Sequence, residues 1–180
     1  TAGCAQMHRF YNLPGGAAAG ISDSKLPDMQ AGWETAITNV LAGLSGLNMV
    51  YESVGMHASL LGFCLESLVL GDDVLGQVMR CVRGIDVTPD STSIEAMKAV
   101  CLGGPGHYLG SDQTLALMQT EYIYPNVGNR MSPKEWVEAG RPQLLDRAIA
   151  RKNEILAKAG SQIEPEIDAL IRAKFNIHFQ

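Results

Sequence analysis

Residues 22–34, Ser-Asp-Ser-Lys-Leu-Pro-Asp-Met-Gln-Ala-Gly-Trp-Glu, decide how the rest of the chain is read. Before them lies a short apolar run of small residues, Gly15 to Ile21. Along a segment from Asp28 to about Ser45, Met29, Trp33, Ala36, Ile37, Val40, Leu41, Leu44 and then Leu47 recur at three- and four-residue spacing. That period predicts an amphipathic helix, and the small apolar run predicts a strand buried on both sides. A strand ending in a polar loop that opens a helix is where α/β proteins place their chemistry. Here the loop gathers Asp23, Lys25, Asp28 and Glu34 between nearly uncharged neighbours.

Toward the N-terminus, Ala2, Ala5, Met7 and Phe10 are spaced for a helix over residues 2–11, which Asn12 and Pro14 stop. Toward the C-terminus, Asn48 to Ser53 predicts a second strand. Strand, helix and strand make a βαβ unit with parallel strands and a right-handed crossover. A loop over 54–59 holds Gly55, Met56 and His57. A long helical region follows, with one stripe at Leu61, Cys64, Leu65, Leu68 and Val69 and another at Val74, Leu75, Val78, Met79 and Val82. Gly71 is expected to bend it, Asp72 or Asp73 to restart it and Gly84 to end it. Shorter helices come next. Thr92 and Glu95 form a capping-box pattern for a helix through about Cys101, and Ser111 caps one running to about Glu121. Ser132, Pro133 and Glu135 open a third. Leu144 to Leu156 predicts a long helix and Glu164 to Lys174 a last one.

The fold class is therefore α/β: two βα units, a βαβ portion over 1–57, then a mainly helical C-terminal region over 58–180. Two strands are too few for an independent parallel sheet. The chain reads as the end of something larger, and its start at Thr1 without Met suggests a fragment or a processed chain. Standing alone, its strand edges would need a partner such as a second copy, so a homo-oligomer is expected. A length of 180 residues with 46% hydrophobic content suffices for one well-packed domain. A net charge of -5 argues against nucleic-acid binding, which needs a basic face. No run is long enough to span a membrane, and no signal peptide is visible. Cys4, Cys64, Cys81 and Cys101 make no Cys-x-x-Cys pair. With Cys64, Cys81 and Cys101 among apolar residues at helical spacing, buried thiols in a reducing cytoplasm are expected.

Three motifs in order carry a resemblance: residues 22–34; Arg83-Gly-Ile-Asp-Val87; and Gly104-Pro-Gly-His-Tyr-Leu-Gly110 with Thr120-Glu121. Over about residues 1–157 the chain resembles the trimethylamine methyltransferase family; the last twenty or so residues add nothing to it. The resemblance implies the C-terminal portion of a TIM (β/α)8 barrel, belonging to proteins considerably longer than this one. It implies transfer of a methyl group from a methylated amine to the Co(I) of a corrinoid (cobalamin) carried by a separate corrinoid protein, with no cofactor bound directly. This chain alone is then expected to be inactive. The trimethylamine enzymes carry a pyrrolysine near the stretch that opens this section, whereas this chain has twenty-letter residues throughout. That departure points to a quaternary amine such as glycine betaine, or to an untested substrate. The competing expectation is a non-catalytic binding or assembly piece of the same family that dimerises. A small self-sufficient α/β enzyme is disfavoured by the strand count.

In a barrel the chemistry sits on the loops after the strands, here 20–28 and 53–59. Asp23 and Lys25 have three roles open to them: touching a substrate carboxylate, ordering the loop, or pairing with each other. Asp28 after Pro27 is read as a helix N-cap, and Glu34 as a member of a structural ion pair. Glu52, at the end of an apolar strand, faces the barrel mouth or the protein, and a buried carboxylate needs a partner, either a cationic substrate or a structural cation. His57 is a site residue or a helix-start contact, and His107 a site residue or part of a tight turn. His8 and His178 are peripheral. Tyr122, with Tyr108 and Tyr124, either offers an aromatic face to a quaternary ammonium or packs against core or partner. Attack by Co(I) on a methyl group requires no protein nucleophile, and the sequence has no nucleophile elbow, catalytic triad or metal-ligand pattern.

Overall fold

Small residues let two strands and a helix come close together at the N-terminal end. In a computed structural model describing residues 1–160 and 163–177, α1 spans Ala2–Phe10, β1 Gly16–Ala18, α2 Met29–Leu44 and β2 Met49–Tyr51. β1 and β2 pair in parallel, with Gly16 opposite Met49 and Ala18 opposite Tyr51, which makes the expected βαβ unit. Polar side chains of α2 fasten the strand ends. Thr38 Oγ1 accepts from Gly20 N–H at 2.8 Å, Thr35 Oγ1 donates to Gly20 C=O at 3.0 Å, and the Asn39 amide donates to Ser53 C=O at 2.8 Å. Gly20 has a φ of +76° and lies against the Ser53 carbonyl, so a side chain there would be both strained and blocked.

The strand after Pro14 is shorter and less buried than its sequence predicts: three residues, with Gly16 exposed. Among the described residues it pairs only with β2, and a sheet of two strands covers little. The loop after β2 also differs from expectation. Met56–His57 (β3) and Gly62–Phe63 (β4) form an antiparallel hairpin where helix was predicted from Leu61. The helix starts only at Leu65 and runs unbroken to Arg83 as α3. Gly71 does not interrupt it, and neither Asp72 nor Asp73 restarts it. A Cβ at Gly71 would stand 2.3 Å from Val54 Cγ1, so glycine is there for close approach rather than for a break.

Ile94–Cys101 (α4), Asp112–Leu117 (α5), Pro133–Glu138 (α6), Leu144–Lys158 (α7) and Pro165–Lys174 (α8) complete the order. The Ser132–Glu135 capping box forms as read. The one at Thr92 does not: Ser93 takes the N-cap position in a left-handed conformation, and Glu95 pairs with Lys98 instead. α5 ends one turn early because Glu121 is drawn to Arg80 at 2.7 Å and Arg83 at 2.9 Å. That contact joins two of the sequence motifs, since Arg83 also donates to Thr120 C=O.

α3 packs against α2 on one side and α7 on the other. Among the described residues, the buried apolar side chains are all small: Ala5, Ala19, Ala31, Ala42, Val78, Val100, Val127 and Ala148. The larger apolar side chains that the helical period sends to one face of α2 stand in the open, with Met29 82%, Trp33 56% and Ile37 54% exposed. Of the three cysteines expected as buried thiols, Cys81 and Cys101 are exposed, because they lie on the uncovered faces of α3 and α4, and Cys64 is half-buried; Cys4 is exposed as well. The accessible surface is 13176 Å², whereas a compact chain of 19.3 kDa has about 8,500 Å². The chain is thus long enough for a well-packed domain without forming one. Among the described residues no helix is long and apolar enough to cross a membrane.

Candidate functional site

The loop of residues 22–28 is held from within and from the hairpin. Asp28 caps α2, accepting from Ala31 N–H at 3.0 Å and the Ser24 hydroxyl at 2.9 Å. Glu34, one turn in, accepts from the Ser22 hydroxyl at 2.6 Å, Asp23 N–H at 2.9 Å and the Gln30 amide at 3.0 Å. The expected ion pair at Glu34 is replaced by neutral donors, because the loop folds back over the helix start. The Ser22 hydroxyl first, and then the Gln30 amide, hold the Glu34 carboxyl below its usual range; Ala31 N–H does most of the same for Asp28.

Three backbone bonds zip this loop to the hairpin: Ser22 N–H to Met56 C=O, Ala58 N–H to Ser24 C=O, and Ser59 N–H to Ser22 C=O. The turn they clamp places Ala58, Ser59 and Leu60 at φ of 49°, 54° and 74°, three successive left-handed residues, none of them glycine. Such residues carry a conformational cost and persist where surrounding contacts over-determine them, commonly at functional sites.

His57 precedes that turn and is 6% exposed. Its Nδ1 lies 3.2 Å from Ser24 C=O and its Nε2 2.7 Å from the Ser67 hydroxyl. A carbonyl only accepts, so Nδ1 carries a proton. With both nitrogens engaged, His57 is fixed in orientation between the loop and α3.

His57 also lines a cleft of 570 Å³ between the N-terminal end of α2, the hairpin, α3 and the segment 125–130. Pro27, Met29, Trp33, Met56, Leu70, Val74, Pro125 and Leu144 make its walls largely apolar. Asp28, Asp73 and Arg130 are its charged members. Asp73 accepts from three successive backbone N–H groups, Asn126 at 2.6 Å, Val127 at 2.8 Å and Gly128 at 2.7 Å, and so pins that wall to α3.

Of the residues weighed as site candidates from sequence, His57 and Asp28 line this cleft, Asp28 with its carboxylate committed to the cap of α2. Asp23 accepts from the Ser59 hydroxyl, and Lys25 donates to Asp23 C=O at 2.8 Å, so the two do not pair through their charges. Glu52 is exposed, at a φ of 59°, rather than buried at a strand end, because β2 stops at Tyr51 and the chain turns outward. His107 is exposed between α4 and α5, and Tyr122 is 61% exposed beyond Glu121. His178 lies outside the described residues. Trp33 and Asp73 are read from sequence only as helix residues, and Ser67 and Arg130 are not read at all.

A profile described as trimethylamine methyltransferase (MTTB) matches residues 1–178, extending past the point where the motifs stop. The glycine betaine methyltransferase of Desulfitobacterium hafniense strain Y51 is 29% identical over 170 residues, covering 94% of this chain and 35% of that protein. The trimethylamine methyltransferase MttB of Desulfitobacterium hafniense DCB-2 is 31% identical, covering 96% and 34%. That of Methanosarcina thermophila is 32% identical, covering 94% and 34%. The chain therefore spans about a third of the length of the curated relatives it matches.

Proposed function

Since this chain belongs to the trimethylamine methyltransferase family, we propose that it contributes the cleft in which a methylated or quaternary amine gives up a methyl group to the Co(I) of a corrinoid carried by a separate protein. The observation that carries this is the profile match over residues 1–178, nearly the whole chain. The cleft supports it. Its apolar walls desolvate a cation, and the Trp33 ring offers an aromatic face toward which quaternary ammonium groups are drawn. In the transfer the C–N bond breaks, its electron pair stays on nitrogen, and a neutral amine leaves. This chain's part is to bind and orient the ammonium and to exclude water. His57 and Ser67 keep one wall fixed and Asp73 the other, so the amine meets a preformed site. Asp23 and Lys25 belong to the loop that positions His57 and help to order it; Glu52, His107 and Tyr122 would act only from outside this cleft.

The corrinoid arrives with its own protein and acts as a co-substrate. The exposed Met29 and Trp33 leave the cleft open on the side such a partner would approach. The parallel βαβ unit, its uncovered strand edges and an excess surface of about 4,700 Å² over a compact chain fit the C-terminal portion of a (β/α)8 barrel. The test is methyl transfer to a Co(I) corrinoid protein from a panel of trimethylamine, glycine betaine, carnitine and proline betaine. It uses this chain alone and within a polypeptide of its relatives' length. Transfer from one of the panel by the longer protein supports the proposal, and none from any overturns it. The exposed apolar face of α2 favours a second reading, a non-catalytic assembly module. It would take precedence if the longer protein bound amines without methyl transfer and this chain sedimented as a dimer.

A further inference from the structure

Methyl transfer from an amine to cobalt needs no nucleophile from the protein, yet the cleft contains a hydroxyl paired with a base. Ser67 lies in the first turn of α3, and with Leu70, Gly71 and Val74 it forms the face of that helix that lines the cleft. Its hydroxyl is 2.7 Å from His57 Nε2. His57 Nδ1 carries its proton toward Ser24 C=O at 3.2 Å, so in the neutral ring Nε2 is an acceptor and the Ser67 hydroxyl donates to it. Nucleophile, base and orienting group thus stand in order, drawn from α3, the hairpin and the 22–28 loop. A hydroxyl attacks well only when a base within hydrogen-bond reach takes its proton, and a third group fixes that base. His57 is buried, whereas Ser67 is half-buried and open to the cleft. The N-terminal end of a 19-residue helix also favours the negative charge that grows on Oγ as its proton leaves. Ser22, Ser24 and Ser59 differ: their hydroxyls donate to the carboxylates of Glu34, Asp28 and Asp23, and none of the three lines the cleft.

We infer that Ser67 and His57 are an acyl-transfer pair, and that the cleft takes small esters with an uncharged, apolar acyl group. Ser67 Oγ attacks the ester carbonyl carbon while its proton passes to His57 Nε2. The C–O bond to the alcohol then breaks with its electron pair on the alcohol oxygen, which takes the proton from Nε2. Water, giving its proton to the same Nε2, cleaves the acyl–Ser67 ester, and the acid leaves as the proton returns to Ser67 Oγ. The walls set the substrate class: 570 Å³ suits a small molecule, and Trp33, Met56, Leu70 and Val74 receive an apolar group. This activity is separate from methyl transfer, so either can fail without the other.

Reaction of the full chain with a fluorophosphonate, followed by intact-mass and peptide mass spectrometry, tests it. In that reaction the bond from Ser67 Oγ to phosphorus forms as the P–F bond breaks. The expected result is one adduct per chain, on Ser67, together with hydrolysis of p-nitrophenyl butyrate. Ser67→Ala should abolish both, and His57→Gln should slow both about a hundred-fold or more. Ser91→Ala, at an exposed serine outside the cleft, should change neither. No adduct on the parent chain, an adduct on a different hydroxyl, or labelling of His57→Gln at the parent's rate would overturn the inference. The adduct is mapped on the parent chain, so the decisive result does not depend on a variant folding.

Discussion

Ala58, Ser59 and Leu60 show how one residue's conformation can be tied to a site. Each sits in the left-handed region, where a side chain costs roughly 1–2 kcal/mol relative to right-handed backbone. Glycine carries no such cost, though it raises the entropy of the unfolded chain. Leu60 is exposed, so little packing is lost with its side chain. Leu60→Gly is accordingly expected to raise stability by up to about 1 kcal/mol, read as a higher urea midpoint at unchanged slope. A lower midpoint would show that the Leu60 side chain contributes more than its backbone strain costs. None of this strain is legible in the letters Ala-Ser-Leu, which carry no turn signal. It arises because the loop of residues 22–24 and the hairpin bond to each other across 33 or more positions of sequence.

At the scale of elements, the sequence was most informative where a helix starts from its own residues. Asp28 caps α2 and Ser132 with Glu135 caps α6, each by bonds within four residues. It was least informative where a distant partner decides, as at Gly71, whose neighbour is Val54, and at the 56–63 hairpin. The same division holds for the site: His57 was found as a histidine in a strand-end loop, while Asp73 became visible only when α3 met the 126–128 segment. A long-range pair also joins α3 to α7. Glu66 accepts from Lys152 Nζ at 2.7 Å, and this contact, with Glu66's own backbone N–H and the Cys64 thiol, holds the carboxyl down to about 2. Because its folded value lies below the unfolded one of 4.5, the stabilisation is fully present above about pH 4.5 and is lost as pH falls through 2. The melting temperatures of the parent and Glu66→Gln should therefore converge on acidification across that window. A gap that stays constant from pH 6 to pH 2.5 would remove Glu66 from the α3–α7 link.

The whole molecule is marked by what it leaves uncovered. Its core is lined by alanines and valines, while Met29, Trp33, Ile37 and Leu41 repeat every fourth residue along the outside of α2. The helical period of that stripe was plain in the sequence; that it faces outward was not, because periodicity gives a face and not its cover. Such a stripe promotes association. Ile37→Glu is expected to reduce concentration-dependent self-association in sedimentation velocity and to change unfolding free energy by no more than about 0.5 kcal/mol. A loss of several kcal/mol would mean that Ile37 is buried in solution. The central claim concerns chemistry, and the most direct measurement is the absorbance of a Co(I) corrinoid protein mixed with glycine betaine and a polypeptide of the relatives' length that contains this chain. The expected result is loss of the Co(I) signal with one demethylated amine formed per cobalt. An unchanged Co(I) signal with glycine betaine and with every other methylated amine of the panel would contradict it.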